Sequence, residues 1–395
     1  MFFNRKKYIP YGKQQIDIKD IFEVVKVLKQ DFITQGPKVK EFEQKISYKV
    51  NSNYAVSTNS ATSALHIACK ALGLTNGDTV WTSAVTFVAS ANCARYCGAN
   101  IDFLDIDCET GLIDINKLDK KLANAKKNNS LPKIIIPVHL GGASCDMDSI
   151  FSLSQKYGFK IIEDASHAIG GKYKSFFVGS CQFSSITIFS FHPVKIITTG
   201  EGGIATTNDK TLFKKMCTLR SHGITKNPYD FYLKNQGEWY YEQQELGYNY
   251  RLTDIHASLG ISQLNKLEKI ISKRKKIFYR YKKFFNSKDI FMQRIDDDIY
   301  SSFHLAILIL KNLDENHYKE IFGYLRNSNI GVQLHYLPVH LQPYYRNLGF
   351  KENDFPMAER YSKNAISLPI FPTLSKKNQT YIIAKIQECL KHFKI

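Results

Sequence analysis

The 395-residue chain has no apolar run long enough to cross a bilayer. Its most continuous stretch, Phe303 to Leu310, is short and interrupted by His304. Internal repeats and low-complexity linkers are absent, which excludes solenoids and long tethered tails. The first residues, Met1-Phe2-Phe3-Asn4-Arg5-Lys6-Lys7, carry charge with no apolar run behind it, so they are not expected to be a signal peptide. The eight cysteines lack the short paired spacing of a zinc site. Cys93 and Cys97, four apart in a small-residue stretch, read as one packed helix face. Free thiols in a reducing cytoplasm are the simplest account, and no metal is expected.

Acidic residues are also scarce. There are 36 of them against 54 basic ones, a formal charge of +18. The lysines are spread along the chain rather than gathered into a dense basic block with interleaved aromatics. That argues against nucleic acid and for a positive field that favours anionic small molecules.

What is present reads as α/β. Ile18, Ile21, Phe22, Val25 and Leu28 fall at helical spacing, which predicts an amphipathic helix over 17–30. A second helix is predicted over about 38–50. Tyr54–Ser57 reads as a strand, and Asn59-Ser60 then caps a helix that stops at Gly73. Apolar strands follow at Thr79–Trp81, Asn100–Leu104, Lys133–Val138, Lys160–Glu163, Ser185–Phe189 and Gly203–Thr206, with helices between them. Such alternation predicts a mostly parallel sheet covered by helices on both faces. One long helix over 253–286 would lead to a small α+β domain. The expected division is a large α/β domain over 1–270, and a linking helix plus small domain over 271–395.

Three segments carry chemistry. Thr58-Asn59-Ser60-Ala61-Thr62 lies where a strand enters a helix, and free amides at a helix start favour a phosphate. A plain N-cap would look the same. Asp164 closes an apolar strand, where ligands gather in an open α/β sheet; it could equally cap the next helix. Lys195 follows Ser190-Phe191-His192-Pro193-Val194. A lysine, a carboxylate at a strand end and hydroxyl-rich phosphate contacts are what a pyridoxal 5′-phosphate (PLP) enzyme needs. Taken singly, Lys195 reads as a solvated lysine, and His167 and His192 as structural histidines.

Together these segments resemble the DegT/DnrJ/EryC1/StrS sugar-nucleotide aminotransferases. The resemblance runs from about Tyr11 to the last helix. It rests on Asn59–Leu65, Thr86–Asn92, Asp164 to His167, Ser190 with Lys195, Arg220–Gly223 and Gly247–Asp254. The family implies the aspartate aminotransferase fold, PLP as cofactor, and a homodimer with shared sites. By the same resemblance Lys195 holds the cofactor and moves protons, and Asp164 partners the pyridine nitrogen. Phe87 stacks on the ring, His167 lies near its hydroxyl, and the Ala61 amide, Thr62 and Ser190 cradle the phosphate. Asn249 reaches the neighbouring subunit's phosphate. Tyr11, Thr34, Gln333, His335 and Tyr336 lie where the nucleotide-sugar would sit. Within the family, Ser190–Lys195 and Gln333–Pro338 look most like the branch that aminates UDP-linked 4-keto-6-deoxy-N-acetyl sugars with L-glutamate, toward pseudaminic acid. The next-closest look is the branch acting on UDP-4-keto-L-arabinose. The chain departs from the pattern at Pro193 and in a long aromatic insertion, 227–243. A sugar dehydratase on this fold would carry histidine in place of Lys195. A noncatalytic binding protein is the remaining alternative.

Overall fold

The computed structural model describes residues 8–311 and 313–393; Met1–Lys7, read above for a signal peptide, lie outside the described residues. A seven-stranded sheet forms the centre. Its strands lie in the order Tyr54–Thr58, Gly203–Thr207, Ile186–Ser190, Lys160–Asp164, Ile134–Ile136, Thr79–Ser83 and Asn100–Leu104. Gly203–Thr207 runs antiparallel to both neighbours, and the pairings from Ile186–Ser190 to Asn100–Leu104 are parallel. The sequence explains the depth of this sheet. Ile134–Ile136 is apolar at every position and buried on both faces, as a strand covered by helices on each side must be. Every residue of Ile186–Ser190 and Gly203–Thr207 is likewise buried.

The parallel strands end together, so the loops that follow them share one edge. Ile162 stands opposite Ile186 and Asp164 opposite Ile188. This register puts Asp164 level with the end of the strand that leads to Lys195. On the far side Thr58 pairs with Gly203, which brings the Asn59–Thr62 turn to the same edge. Helix Ala61–Ala71 then runs back across the sheet with Ser60 as its N-cap, and Gly73 leaves it at φ +74°.

A second, antiparallel sheet joins Ile290–Met292, Ala306–Leu310 and Ala365–Leu368. Helices Glu315–Asn327 and Lys376–His392 pack together beside it. A small third sheet joins Ile299–Tyr300 to Lys172–Tyr173 and Phe176–Phe177, linking the early and late parts of the chain.

One expectation changes. The helix predicted over 253–286 is two helices, Asp254–Leu264 and Leu267–Phe284. The break falls at Asn265-Lys266, where the Lys266 ammonium is drawn to Asp17 at 2.9 Å and Asp20 at 2.5 Å. Helix Ile18–Leu28 forms with Asp17 as its cap, but it does not bury its apolar stripe. Asp20 and Val27 are the buried residues, and Asp20 accepts from Ser262, Gln263 and Lys266. Polar bonds hold that face inward, so Ile18, Ile21, Phe22, Val25 and Leu28 stay exposed.

Candidate active site

Asp164 ends its strand 5% exposed, with both carboxylate oxygens engaged. Ser90 Oγ donates to Oδ2 at 2.6 Å, and the Ser166 amide donates to Oδ1 at 3.1 Å. Ser90 is itself 2.8 Å from Thr86 Oγ1. These bonds fix the plane of a charged group that has little water around it.

Lys195 sits in the loop between Ile186–Ser190 and Gly203–Thr207. Because those strands are antiparallel neighbours, the loop leaves and re-enters the sheet at the same edge. It is closed across its base by Phe191 N–H to Gly202 O at 2.9 Å and Thr199 N–H to Phe191 O at 3.0 Å. Thr198 Oγ1 also donates to Phe191 O. The Lys195 ammonium has no hydrogen-bond or salt-bridge partner among the described residues. Burial pushes it down from 10.5 to about 8, against the opposing pull of the Asp164 charge.

The start of helix Ala61–Ala71 faces the same space. Ser60 is spent as the cap, accepting from Ser63 N–H at 3.1 Å, which leaves the first-turn amides at Ala61 and Thr62 for a ligand. Gly203 lies directly behind this turn. A Cβ there would sit 2.4 Å from Ser60 C and Ala61 N, so only glycine lets the strand approach so closely.

These groups line one cavity of about 580 Å³. Ala61, Thr62, Phe87, Asp164, His167, Ser190 and Lys195 border its inner part, and Phe87 turns a 57% exposed ring into it. Tyr11, Gln333, His335 and Tyr336 border the rest. Thr34 and Asn249 do not line it; both are exposed, in segments bridged to Thr253 and Ser221 respectively. Arg220, from the fifth of those motifs, is structural: it bonds Glu43 and the Ser57 carbonyl, tying its helix to the edge strand. The roles of Ser90, Thr86 and Gly203 escaped the sequence reading. Thr86 and Ser90 lay in a quoted motif at a spacing of four, which could have flagged a pair, but nothing local linked them to Asp164.

The cavity fits PLP. It offers an amine without a partner, a fixed carboxylate, a helix start emptied for an anion and a flat aromatic face. Known proteins agree. Residues 14–387 match the model of the DegT/DnrJ/EryC1/StrS aminotransferase family. The chain belongs to this family. The resemblance drawn from its motifs therefore holds, and the protein is a PLP-dependent sugar aminotransferase. The UDP-4-amino-4,6-dideoxy-N-acetyl-beta-L-altrosamine transaminase of Campylobacter jejuni is 40% identical over 375 residues, covering 95% of each chain. Helicobacter pylori PseC, an aminotransferase of pseudaminic acid biosynthesis, superposes with a TM-score of 0.89 at 30% identity, over 98% of this chain and 100% of that one. The sugar aminotransferase Spr1654 from Streptococcus pneumoniae, solved in its PLP form, gives a TM-score of 0.87 at 30% identity, over 98% and 99%. Lys195, where a dehydratase of this fold would carry histidine, and the aminotransferase relatives both speak against the dehydratase and the noncatalytic binder.

Proposed function

We propose that the enzyme moves an amino group from L-glutamate to carbon 4 of a UDP-linked 4-keto-6-deoxy-N-acetyl sugar, supplying surface glycan of the pseudaminic acid type. The observation that carries this reading is the single cavity in which Lys195 and Asp164 meet the Gln333–Tyr336 segment. The names of the Campylobacter and Helicobacter relatives support the substrate class.

The residues divide the work. PLP, when bound, supplies an aldehyde that carries the amino group and a ring that takes up electron density. Lys195 holds it, and once released moves a proton at the reacting carbon. Its depressed pKa makes the neutral, basic form accessible near neutral pH. Asp164, fixed by Ser90 and Ser166, would keep the pyridine nitrogen of bound PLP protonated by its charge. The Ala61 and Thr62 amides and Ser190 would take the phosphate, Phe87 would cover the ring, and His167 would stand on its hydroxyl side. Tyr11, Gln333, His335 and Tyr336 hold the nucleotide-sugar.

The working unit in this reading is a cytoplasmic homodimer, and Asn249 and Thr34 serve the partner's cavity. Their exposure outside their own cavity supports this, as does the uncovered stripe Ile18–Leu28, which a second copy would bury. Among the described residues no helix is long and apolar enough to cross a membrane. A division close to residue 270, at the break before helix Leu267–Phe284, is supported by the seven-stranded sheet preceding it in the chain and the Ile290–Leu368 sheet following it.

The test is to incubate the enzyme with PLP, glutamate and a panel of UDP- and dTDP-linked 4-keto sugars, and to follow 2-oxoglutarate release. Turnover confined to UDP-4-keto-L-arabinose or a dTDP sugar would move the assignment to another branch. Shared sites are tested by a mixed dimer of Lys195→Ala and Asn249→Asp chains, separated by different tags. One of its two sites keeps both groups, so it should regain activity; a mixed dimer as inactive as its parents would refute sharing.

A further inference from the structure

The direction of the hydrogen bonds at His167 assigns a task to Tyr336 beyond bordering the cavity. His167 is 5% exposed, and each ring nitrogen has one partner. Nδ1 lies 3.3 Å from the backbone nitrogen of Gly141. A backbone N–H can only donate, so Nδ1 accepts. A neutral imidazole that accepts at Nδ1 carries its hydrogen on Nε2. Nε2 lies 3.2 Å from Tyr336 Oη, so that hydrogen is donated to the tyrosine oxygen. The phenol hydrogen therefore cannot point back at His167.

The surroundings hold this arrangement. Burial, with the Lys195 charge, keeps His167 neutral, well below its ordinary value of 6.5. Its ring lies against that of His304, with centroids 4.3 Å apart. His304 is also held neutral, by burial with the Lys195 and Arg274 charges beside it. Gly141 is fixed in turn, since a Cβ there would sit 2.5 Å from Gln293 Oε1. Gln293 donates to the carbonyls of Thr110 and Leu140. Tyr336 itself stays protonated, because burial and the Asp164 charge raise its pKa. Among the described residues its hydroxyl has no other hydrogen-bond partner, and the ring borders the cavity opposite Phe87, at 6.1 Å between centroids.

We propose that Gly141 and His167 act as positioning groups that aim the Tyr336 hydroxyl into the cavity, where it donates a hydrogen bond to a ligand oxygen beside Lys195. Two oxygens have that chemistry: the keto oxygen of the sugar and the ring hydroxyl oxygen of PLP. A donor already accepting from Nε2–H is strengthened by it, and its aim costs no rearrangement when the ligand gains negative charge. The proposal rests on the aminotransferase reading above. Two of its tests need no sugar, so they stand even if the sugar is wrongly assigned.

The first test is the tautomer. In cofactor-free protein labelled with 15N-histidine, with His167→Gln used to assign the resonance, His167 should show a protonated Nε2 and an unprotonated Nδ1. The opposite tautomer would overturn the proposal. The second is the pH titration of PLP absorbance in Tyr336→Phe without substrate. A displaced midpoint identifies the cofactor oxygen as the acceptor. The third is kinetic. If the sugar oxygen is the acceptor, Tyr336→Phe should lose roughly 10²-fold in kcat with a KM for the sugar changed far less. An unchanged titration together with an unchanged kcat would overturn the proposal. Direction is tested by two replacements at 167. Gln keeps an N–H donor toward Tyr336 and should rescue most of the lost kcat. Glu accepts only, would turn the phenol hydrogen toward itself and should resemble Tyr336→Phe. Equal activity of the Gln and Glu variants would sink the directional argument.

Discussion

Lys195 in the cofactor-free enzyme should titrate near pH 8 rather than near 10.5. At pH 7 an ordinary lysine is neutral in about one molecule in 3,000, whereas a group at about 8 is neutral in about one in 11. The neutral fraction is thus raised roughly 300-fold, and that fraction is what attacks an aldehyde. Burial is the cause, and the Asp164 charge works against it. Removing the charge with Asp164→Asn should therefore lower the midpoint further. The assay is competitive labelling with trace acetic anhydride between pH 6 and 10, read peptide by peptide in a mass spectrometer. The exposed Lys40 serves as an internal reference. Linkage gives an independent check. The folded value lies below the unfolded one, so between about 8 and 10.5 the folded chain binds fewer protons, and this group makes folding more favourable as pH rises. Lys195→Met should remove that increment from the pH dependence of the urea midpoint. A Lys195 midpoint near 10.5, or an upward shift in Asp164→Asn, would refute the reasoning.

Lys195→Ala should lose both covalent attachment of PLP, read as absence of a borohydride-fixed adduct, and all turnover; a normal adduct in that variant would displace the assignment. Asp164→Asn should still take up PLP, but rapid-mixing absorbance should show proton transfer slowed by about 10²–10³-fold, the scale of a lost electrostatic contact. Gly203→Ala should raise the apparent PLP dissociation constant and cost about 1–3 kcal/mol of stability by overpacking, because its Cβ would press on Ser60 and Ala61; calorimetry and cofactor titration read the two effects separately.

Much of the scaffold was legible because burial writes itself into composition. Ile134–Ile136 and Ile186–Ser190 are apolar or hydroxyl-bearing throughout, so their placement inside a covered sheet follows from the sequence. Asp164 was legible for a related reason, as an acid at the end of such a strand. The fold over 253–286 was misread because periodicity does not see a lysine pulled out of line by two aspartates distant in sequence. The helix Ile18–Leu28 was legible from its spacing, but the polar bonds of Asp20 that set its inward face join residues far apart in sequence. In the site, Lys195 and Asp164 belong to dense local motifs. The bonds that give them their properties do not: Ser90 to Asp164 and Gly141 to His167 connect different loops, and hydrogen-bond direction has no trace in spacing.

The reversed strand Gly203–Thr207 also bears on when the site can come into being. The edge strand Tyr54–Thr58 has a single sheet neighbour, Gly203–Thr207, made long after it. During synthesis the strand leading into the Asn59–Thr62 turn must therefore wait for Thr207, and the Asn59 amide for the Tyr250 carbonyl it meets at 2.8 Å. The lysine loop closes on its own flanking strands, a short-range event. Long-range pairing carries the larger entropic delay. The phosphate turn and the lysine thus belong to one site only once the edge strand has paired with a strand about 150 residues later in the chain.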